Sequence, residues 1–579
     1  MGIGAVAQTS AVQYHSYGTT VMAYVLPFNP PTGAVEILDE YEGVPVTEIS
    51  GFNNNANITS VKLSKNITSL PASAFSGCTM LTTINLENVT VIGNSAFQGC
   101  GKLGTSLDLS NVTSVGDYAF QGCSNLTSLT IGQATIGTSA FSGTAVETLA
   151  FADGLTEIPA LASQFGGSLK NVYLPSSASV IGVSAFSGCA GLTSIDLTNI
   201  EAIGASAFSG CIGLTSIDLT NIEAIGASAF SGCIGLTSVD LSNVTSIGAS
   251  AFENCGDIKS KKGLEVVIWP EGLTVFPVSV FSGCAMLHSV SNLNKATEIG
   301  NYAFLNCSLL KGNFEFTNSL QYVGEDAFMG TNFTSVVLKS NPSLNASAFP
   351  DAVALNLEIE DKKAFSDDNE NTFDKITYKR EFTSGKFASL ILPFVPEQID
   401  QFDVYKLREN KENSLVFQVV NEFVPGTPYM VKVKEGYEDV EELTATDATI
   451  TTSVCENRVE ADGWKMIGQY ERIELNAEVG KVNGVKYYYY KSADNGFYYS
   501  TGTLGVSPFR TYIEAPLSSS AQVRMMVRGF GGVETDIDVV ELEDVLIPTV
   551  DAYYDLNGNP VQVPVEGKVY IVNGKKMIF

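Results

Sequence analysis

Residues 195–216 read IDLTNIEAIGASAFSGCIGLTS, and residues 217–238 repeat them letter for letter. A fixed period of this size means that one small structural unit is stacked on itself, which constrains the fold more tightly than any composition. Phe186, Phe208, Phe230 and Phe252 mark the period, each 22 residues after the last. Looser copies run outward, with Ala-Phe pairs ending at Phe75, Phe97, Phe120 and Phe141 on one side and at Phe304, Phe328 and Phe349 on the other. About a dozen coils follow from such a period.

Each unit reads LxxIxLxx(I/V)xxIGxxAFxGC, as in Leu192, Ile195, Leu197, Ile200, Ile203-Gly204, Ala207-Phe208 and Cys211. Alternation around Ile195 and Leu197 predicts a short strand, and Ile203, Ala207 and Phe208 suit a turn of helix or 3-10. A coil this short cannot bury its own apolar side. Stacking solves this by building one continuous core, with parallel strands about 4.8 Å apart and an axis on the order of 60 Å long.

The IGxxAFxxCxxLxxIxL wording resembles a leucine-rich repeat of the BspA-like, treponemal type, over about residues 51–350. The resemblance implies a bacterial surface or secreted protein acting as a non-enzymatic adhesin, with a host extracellular or cell-surface protein as partner. The expected fold class is a leucine-rich repeat solenoid, parallel β-strands with short helical or 3-10 turns, followed by an all-β, sandwich-like C-terminal region.

Charge and cysteine placement narrow the partners. A net charge of −29 argues against nucleic acid, whose phosphates would be repelled, and against an anionic membrane. No stretch of about 20 apolar residues offers a membrane-spanning helix. Nine of the ten cysteines, Cys78, Cys100, Cys123, Cys189, Cys211, Cys233, Cys255, Cys284 and Cys307, lie three residues after the phenylalanine of a unit; Cys455 lies outside the pattern. A thiol at one equivalent place, replaced by Thr144 and Thr331 in other coils, behaves as a small core residue rather than a disulfide or zinc ligand.

Taken in order, residues 1–50 lack the repeat and serve as an N-terminal cap, because a bare solenoid end would expose strand edges. Ala5-Val6-Ala7 before Gln8 fits the end of a secretory signal, without the basic and apolar segments that precede one. The solenoid takes residues 51–360, with Lys259, Lys261 and Lys262 in an insertion that projects from the rim and Phe165 filling the place of a missing Ala-Phe pair. Residues 361–379 form an acidic linker. Within it Asp367, Asn369 and Asn371 alternate as in a calcium loop, but Thr372 and Tyr378 stand where an EF-hand needs Gly and Glu.

Arginine is absent before Arg380, where short alternating strands begin and define a sandwich-like domain over 380–545. Asp494-Asn495-Gly496 predicts a tight hairpin between two tyrosine-rich strands. Those tyrosines suit either core packing or a glycan platform. FASLILPF, PGTPYMVKV and SPFRTYIEA, beginning at Phe387, Pro425 and Ser507, are similar to the β-rich domain that follows repeats in surface proteins of gut and oral anaerobes. Residues 546–579 form a C-terminal β module. Its Tyr554-Asp555-Leu556-Asn557-Gly558 and Asn573-Gly574-Lys575-Lys576 resemble a terminal export or attachment module, with Asn559-Pro560 departing from the pattern.

Catalytic machinery is sparse: His15 and His288 are the two histidines, far apart, and neither a phosphate-binding GxxxxGK[ST] loop nor HExxH occurs. No cofactor and no metal are expected. Binding is better motivated, because side chains flanking the strand apolars point away from the core. Ser194, Asp196, Thr198, Ser216, Asp218, Thr220, Ser238, Asp240 and Ser242 would line a concave sheet face, with the three aspartates in a column attractive to a cation or a basic ligand. The location is extracellular or at the bacterial cell surface, the function is adhesion by a monomer, and the alternative is a carbohydrate-handling component working through the β region.

Overall fold

The computed structural model describes residues 11–536, apart from 27–29, 162–163, 364, 366–368 and short segments beyond 411, and four short strands between 553 and 578. The chain divides into a first unit of residues 1–360, 365–378 and 444–450 and a second unit of 361–364, 379–443 and 451–579.

The first unit is a parallel β-solenoid. One wall stacks strands such as Ser106–Leu109, Ser128–Ile131, Thr148–Phe151 and Asn171–Tyr173 in parallel, with Leu107, Leu129, Leu149 and Val172 in register. Another wall stacks two-residue strands, including Glu157–Ile158, Val180–Ile181, Ala202–Ile203, Ala224–Ile225 and Ser246–Ile247. Between the walls run the phenylalanines. Successive rings from Phe186 to Phe252 lie 5.3 to 5.5 Å apart and within 20° of parallel, and each contributes packing of about 0.5–1.5 kcal/mol beyond its burial.

Where a turn of helix or 3-10 is expected around Ala207-Phe208, the chain makes a run of i→i+3 turns, the 3-10 type of bond, without forming a helix. The physical reason lies in two left-handed residues, Ser206 at φ 55° and Gly210 at φ 73°, which break any helix between them. They turn the backbone so that Ser206, Phe208 and Gly210 donate their N–H groups to Ala227, Ala229 and Ser231 of the next coil. Stacking thereby satisfies the polar backbone that a helix would have satisfied internally.

The two consensus glycines serve different ends. Gly210 takes a positive φ, whereas a Cβ on Gly204 would lie 2.8 Å from the backbone of Gly182 and Val183, so Gly204 sets how closely coils approach. Phe165 does stand in for the missing pair, 5.8 Å from Phe141. The insertion after Cys255 forms a hairpin, with Gly256–Asp257 antiparallel to Lys262–Gly263. Phe252 and Phe281 still stack at 5.7 Å, so the extra residues leave the core without disturbing it.

Both ends of the first unit are closed. Val12–Ser16 pairs antiparallel on Val21–Val25, which pairs parallel with Val44–Ser50, and Gly33–Glu36 joins the first wall through Ile58–Lys62. At the other end the stretch read as a solvated linker is structural. Asn371 donates to Asn341 Oδ1 and to the Pro342 carbonyl oxygen, both at 2.7 Å, and Phe373, Ile376 and Tyr378 on the strand Thr372–Phe382 are buried. Asp367 and Asp368 lie outside the described residues.

The second unit is all-β and mostly antiparallel. Its main sheet runs from Phe387–Leu390 through Tyr429–Val433, Phe402–Lys411 and Ser414–Val420 to Gln522–Arg528, then on to Gly496–Tyr499, Val485–Lys491, Arg510–Pro516 and Trp464–Gln469. One core joins Tyr405, Leu415 and Phe417 from one half to Trp464, Met466 and Ile513 from the other. Val485–Lys491 and Gly496–Tyr499 form the expected hairpin, although Asp494-Asn495 at its turn and Cys455 lie outside the described residues. Beyond residue 552 the strands Tyr553–Tyr554, Pro560–Val561, Val569–Val572 and Lys575–Ile578 make a small antiparallel sheet, and both Asn-Gly turns of that module lie outside the described residues.

Candidate ligand-binding face of the repeat unit

All nine residues expected on the strand face are exposed. Their strands differ. Ser238–Asp240 is a paired strand in register with Val266–Ile268, whereas residues 195–197 and 217–219 of the perfect repeats form no paired strand. The coils there are joined instead through the second wall and through single bonds such as Thr215 N–H to the Thr193 carbonyl, at 3.2 Å.

Each aspartate of the column is engaged at home. Asp196 Oδ1 accepts the Thr198 N–H at 3.0 Å and the Thr198 hydroxyl at 2.5 Å; Asp218 does the same with Thr220, and Asp240 with Ser242. These bonds close the turn after the strand, the usual local use of an aspartate. They also hold the three carboxyls below the usual carboxylate range, the hydroxyl contributing most. Asp218 pushes weakly the other way on Asp196, as a like charge on a neighbouring coil must.

The turns themselves form a shallow polar groove of about 660 Å³, lined by Thr198, Glu201, Thr220, Glu223 and Asn243 among others. Of the nine expected residues, Thr198 and Thr220 line it. Asn221 and Asn243 each donate from Nδ2 to the carbonyl of Thr198 and Thr220 one coil earlier, both at 2.8 Å, so the turns stack rigidly. Glu201 and Glu223 are exposed on adjacent coils, joined by the Glu223 N–H to the Glu201 carbonyl at 2.7 Å. Strand alternation alone misses these glutamates. The available signal is the repeated Thr-Asn-Ile-Glu block, set in a span, residues 171–258, that has seven Asp or Glu and no Lys, Arg or His.

Elsewhere in the solenoid some acids are paired. Lys62, Lys170, Lys295 and Lys339 each reach an acid one coil earlier, Glu36, Glu147, Glu271 and Glu315, at 2.7 Å. The acid-only span has no lysine to do this. At the ends of the aspartate column stand Tyr173 and Ile268, 63% and 43% exposed, so the acidic strip is bracketed by apolar side chains.

Other expected sites resolve as structure. The nine thiols of the repeat are free and buried, and Cys78, Cys100, Cys123, Cys211, Cys233, Cys255, Cys284 and Cys307 each donate to the carbonyl of the phenylalanine one coil earlier, at 2.9 to 3.2 Å. Tyr487 and Tyr488 are buried and Tyr489 and Tyr490 half-buried, which fits core packing rather than a sugar platform. His15, on the strand Val12–Ser16, and His288, just before Ser289–Val290, are both exposed. Among the described residues no group of three His, Cys, Asp or Glu is placed to hold a metal, and no helix is long and apolar enough to cross a membrane.

Solved structures with a similar fold include a leucine-rich repeat protein from Bacteroides ovatus, at 23% identity over 60% of this chain and 98% of that one, with a TM-score of 0.40. A leucine-rich cell surface protein from Faecalibacterium prausnitzii gives 23% identity over 57% and 94%, TM-score 0.31, and the pneumococcal vaccine antigen PcpA 16% over 62% and 88%, TM-score 0.30. No curated protein matches the chain. Residues 48–168, 164–262 and 259–356 match the BspA type leucine-rich repeat region in six copies, which together cover more than half of the sequence. With its repeat wording, its stacked coils and that match in agreement, the chain belongs to the family of BspA-type leucine-rich repeat proteins.

Proposed function

We propose that this is a non-enzymatic protein of the bacterial cell surface or its surroundings that adheres by capturing a basic segment of a host extracellular or cell-surface protein on the acid-only coils. The observation that carries this reading is the unbalanced span 171–258, which contains no Lys, Arg or His and in which Asp196, Glu201, Asp218, Glu223 and Asp240 are exposed on stacked coils. Carboxylates repeated coil after coil add their fields, and a linear ligand with cations at matching intervals meets several at once. Tyr173 and Ile268 at the two ends offer apolar contact where the charge stops.

The rigidity of the turns supports the same reading, since a groove whose walls are already hydrogen-bonded loses little entropy when occupied. Titration of a lysine-rich peptide into the full chain tests it. Binding should weaken with salt, in Glu201→Gln/Glu223→Gln, and in Asp196→Asn/Asp218→Asn/Asp240→Asn. Unchanged affinity in both variants would remove the acid-only coils as the binding surface.

A further inference from the structure

We propose that the second unit carries an anion-binding pocket, for a small ligand bearing a carboxylate or phosphate group, built by Arg380, Lys386 and Arg510. The chain has no arginine in its first 379 residues, so guanidinium chemistry is confined to this part of the sequence. Two of those arginines, with Lys386, line one pocket of about 340 Å³. Arginine is the side chain whose planar fork matches a carboxylate or phosphate, which makes its placement in a cavity informative.

Both guanidiniums are held before any ligand arrives. Arg380 donates from Nη1 to the Ser389 carbonyl at 2.9 Å, and its guanidinium lies 4.6 Å from the centre of the Phe382 ring. Arg510 makes a two-pronged pair with Asp361, Nη1 to Oδ1 and Nη2 to Oδ2, each 2.7 Å, and the two side chains are 21% and 19% exposed. Orientation of this kind removes much of the entropy cost of binding. Lys386 is exposed at the rim, where a flexible ammonium can follow the anion in.

Walls and charge agree with that use. Phe387 is buried and Tyr490 half-buried, so part of the lining is apolar and ion pairs inside are screened less than in open water. The lining carries three cations, Arg380, Lys386 and Arg510, and one acid, the exposed Glu381, in a chain of net charge −29. A cavity of this volume sits at the small end of ligand sites, which fits a single sugar acid or phosphate rather than a polymer.

Calorimetric titration of the full chain at constant ionic strength tests the proposal, with inorganic phosphate and D-glucuronate as separate probes and D-glucose as the neutral control. Saturable binding of at least one anion, with none of glucose, is the expected result. Phosphate alone marks the ligand as phosphate-bearing, and glucuronate alone as carboxylate-bearing. Lys386→Gln, at an exposed position, should weaken binding by about tenfold, the worth of one charge-assisted hydrogen bond. Arg380→Gln should abolish it, with partial recovery in Arg380→Lys. No saturable binding of either anion would overturn the proposal, and so would wild-type affinity in Lys386→Gln.

Discussion

The thiol of Cys233 donates to the carbonyl oxygen of Phe208, one coil earlier, at 3.0 Å. Every such bond ties the end of one coil to the ring-bearing residue of its neighbour, and all nine repeat thiols are buried; burial pushes those of Cys78, Cys100, Cys123, Cys189, Cys211, Cys233, Cys255 and Cys307 above their ordinary range, Cys123, Cys189 and Cys211 up to about 12. In the native protein the nine repeat thiols should therefore resist a thiol-specific colour reagent that attacks thiolates, and react in full once guanidinium unfolds the chain. The sign of the pH effect follows. The folded state keeps these protons while the unfolded chain releases them, so stability is level below about pH 8.5 and falls above it. Urea midpoints measured from pH 7 to 10 check this.

Gly204 and Gly210 separate two roles that look alike in the sequence. Gly204→Ala places a methyl 2.8 Å from the neighbouring backbone and should cost about 1–3 kcal/mol as an overpacking change. Gly210→Ala meets nothing closer than 3.7 Å and should cost about 1–2 kcal/mol, through its left-handed φ. Replacing Gly210 by Asn, which tolerates that conformation, should recover most of the loss, whereas Gly204→Asn should be worse than alanine. Denaturation midpoints of the four variants decide between the accounts.

Asp218 has one oxygen committed to Thr220, so its charge and its turn-closing role can be tested apart. Asp218→Asn keeps an acceptor at Oδ1 and should leave stability nearly unchanged while weakening a lysine-rich peptide by about two- to fivefold. Asp218→Ala should weaken binding and lower stability. Because the folded carboxyl titrates below its unfolded value of about 4, its stabilising bonds are in place above that pH and lost as pH falls through the lower folded value. Peptide binding should accordingly persist through pH values near 4 and be lost only as pH falls further, through the lowered folded values of the three aspartates, as a titration of affinity against pH would show.

Lys259, Lys261 and Lys262 stand exposed on the hairpin that leaves the core after Cys255, beside Ile258 at 53% exposure. Trypsin at a limiting ratio should cut the solenoid there before Lys170 or Lys295, whose ammonium groups are paired one coil back. Mass spectrometry of the first fragments from the repeat region gives the order. Since the ring stack continues past the insertion, the nicked solenoid should still unfold near the intact midpoint.

Much of this architecture is legible in the letters, because each buried position of the coil has a fixed distance to its copy. Phe208 must meet Phe230, and Leu107 must meet Leu129, once equal spacing becomes stacking. The left-handed Ser206 is not legible in that way, since serine has no strong preference for positive φ and takes it only where the next coil offers an acceptor to its N–H. Nor is the closing role of Asn371, whose spacing suggests a metal loop while its amide finds Asn341.

The candidate face divides along the same line. Exposure of Asp196, Asp218 and Asp240 follows from alternation, but their bonds to Thr198, Thr220 and Ser242, and the entry of Glu201 and Glu223 into the groove beside them, do not. By itself the sequence determined the period, the core and the sign of the charge, because a buried apolar row is fixed by spacing and a net charge by counting. Tertiary structure alone decided where each polar side chain points. On an exposed surface several hydrogen bonds of similar strength compete, and the position of the neighbouring coil's backbone selects among them.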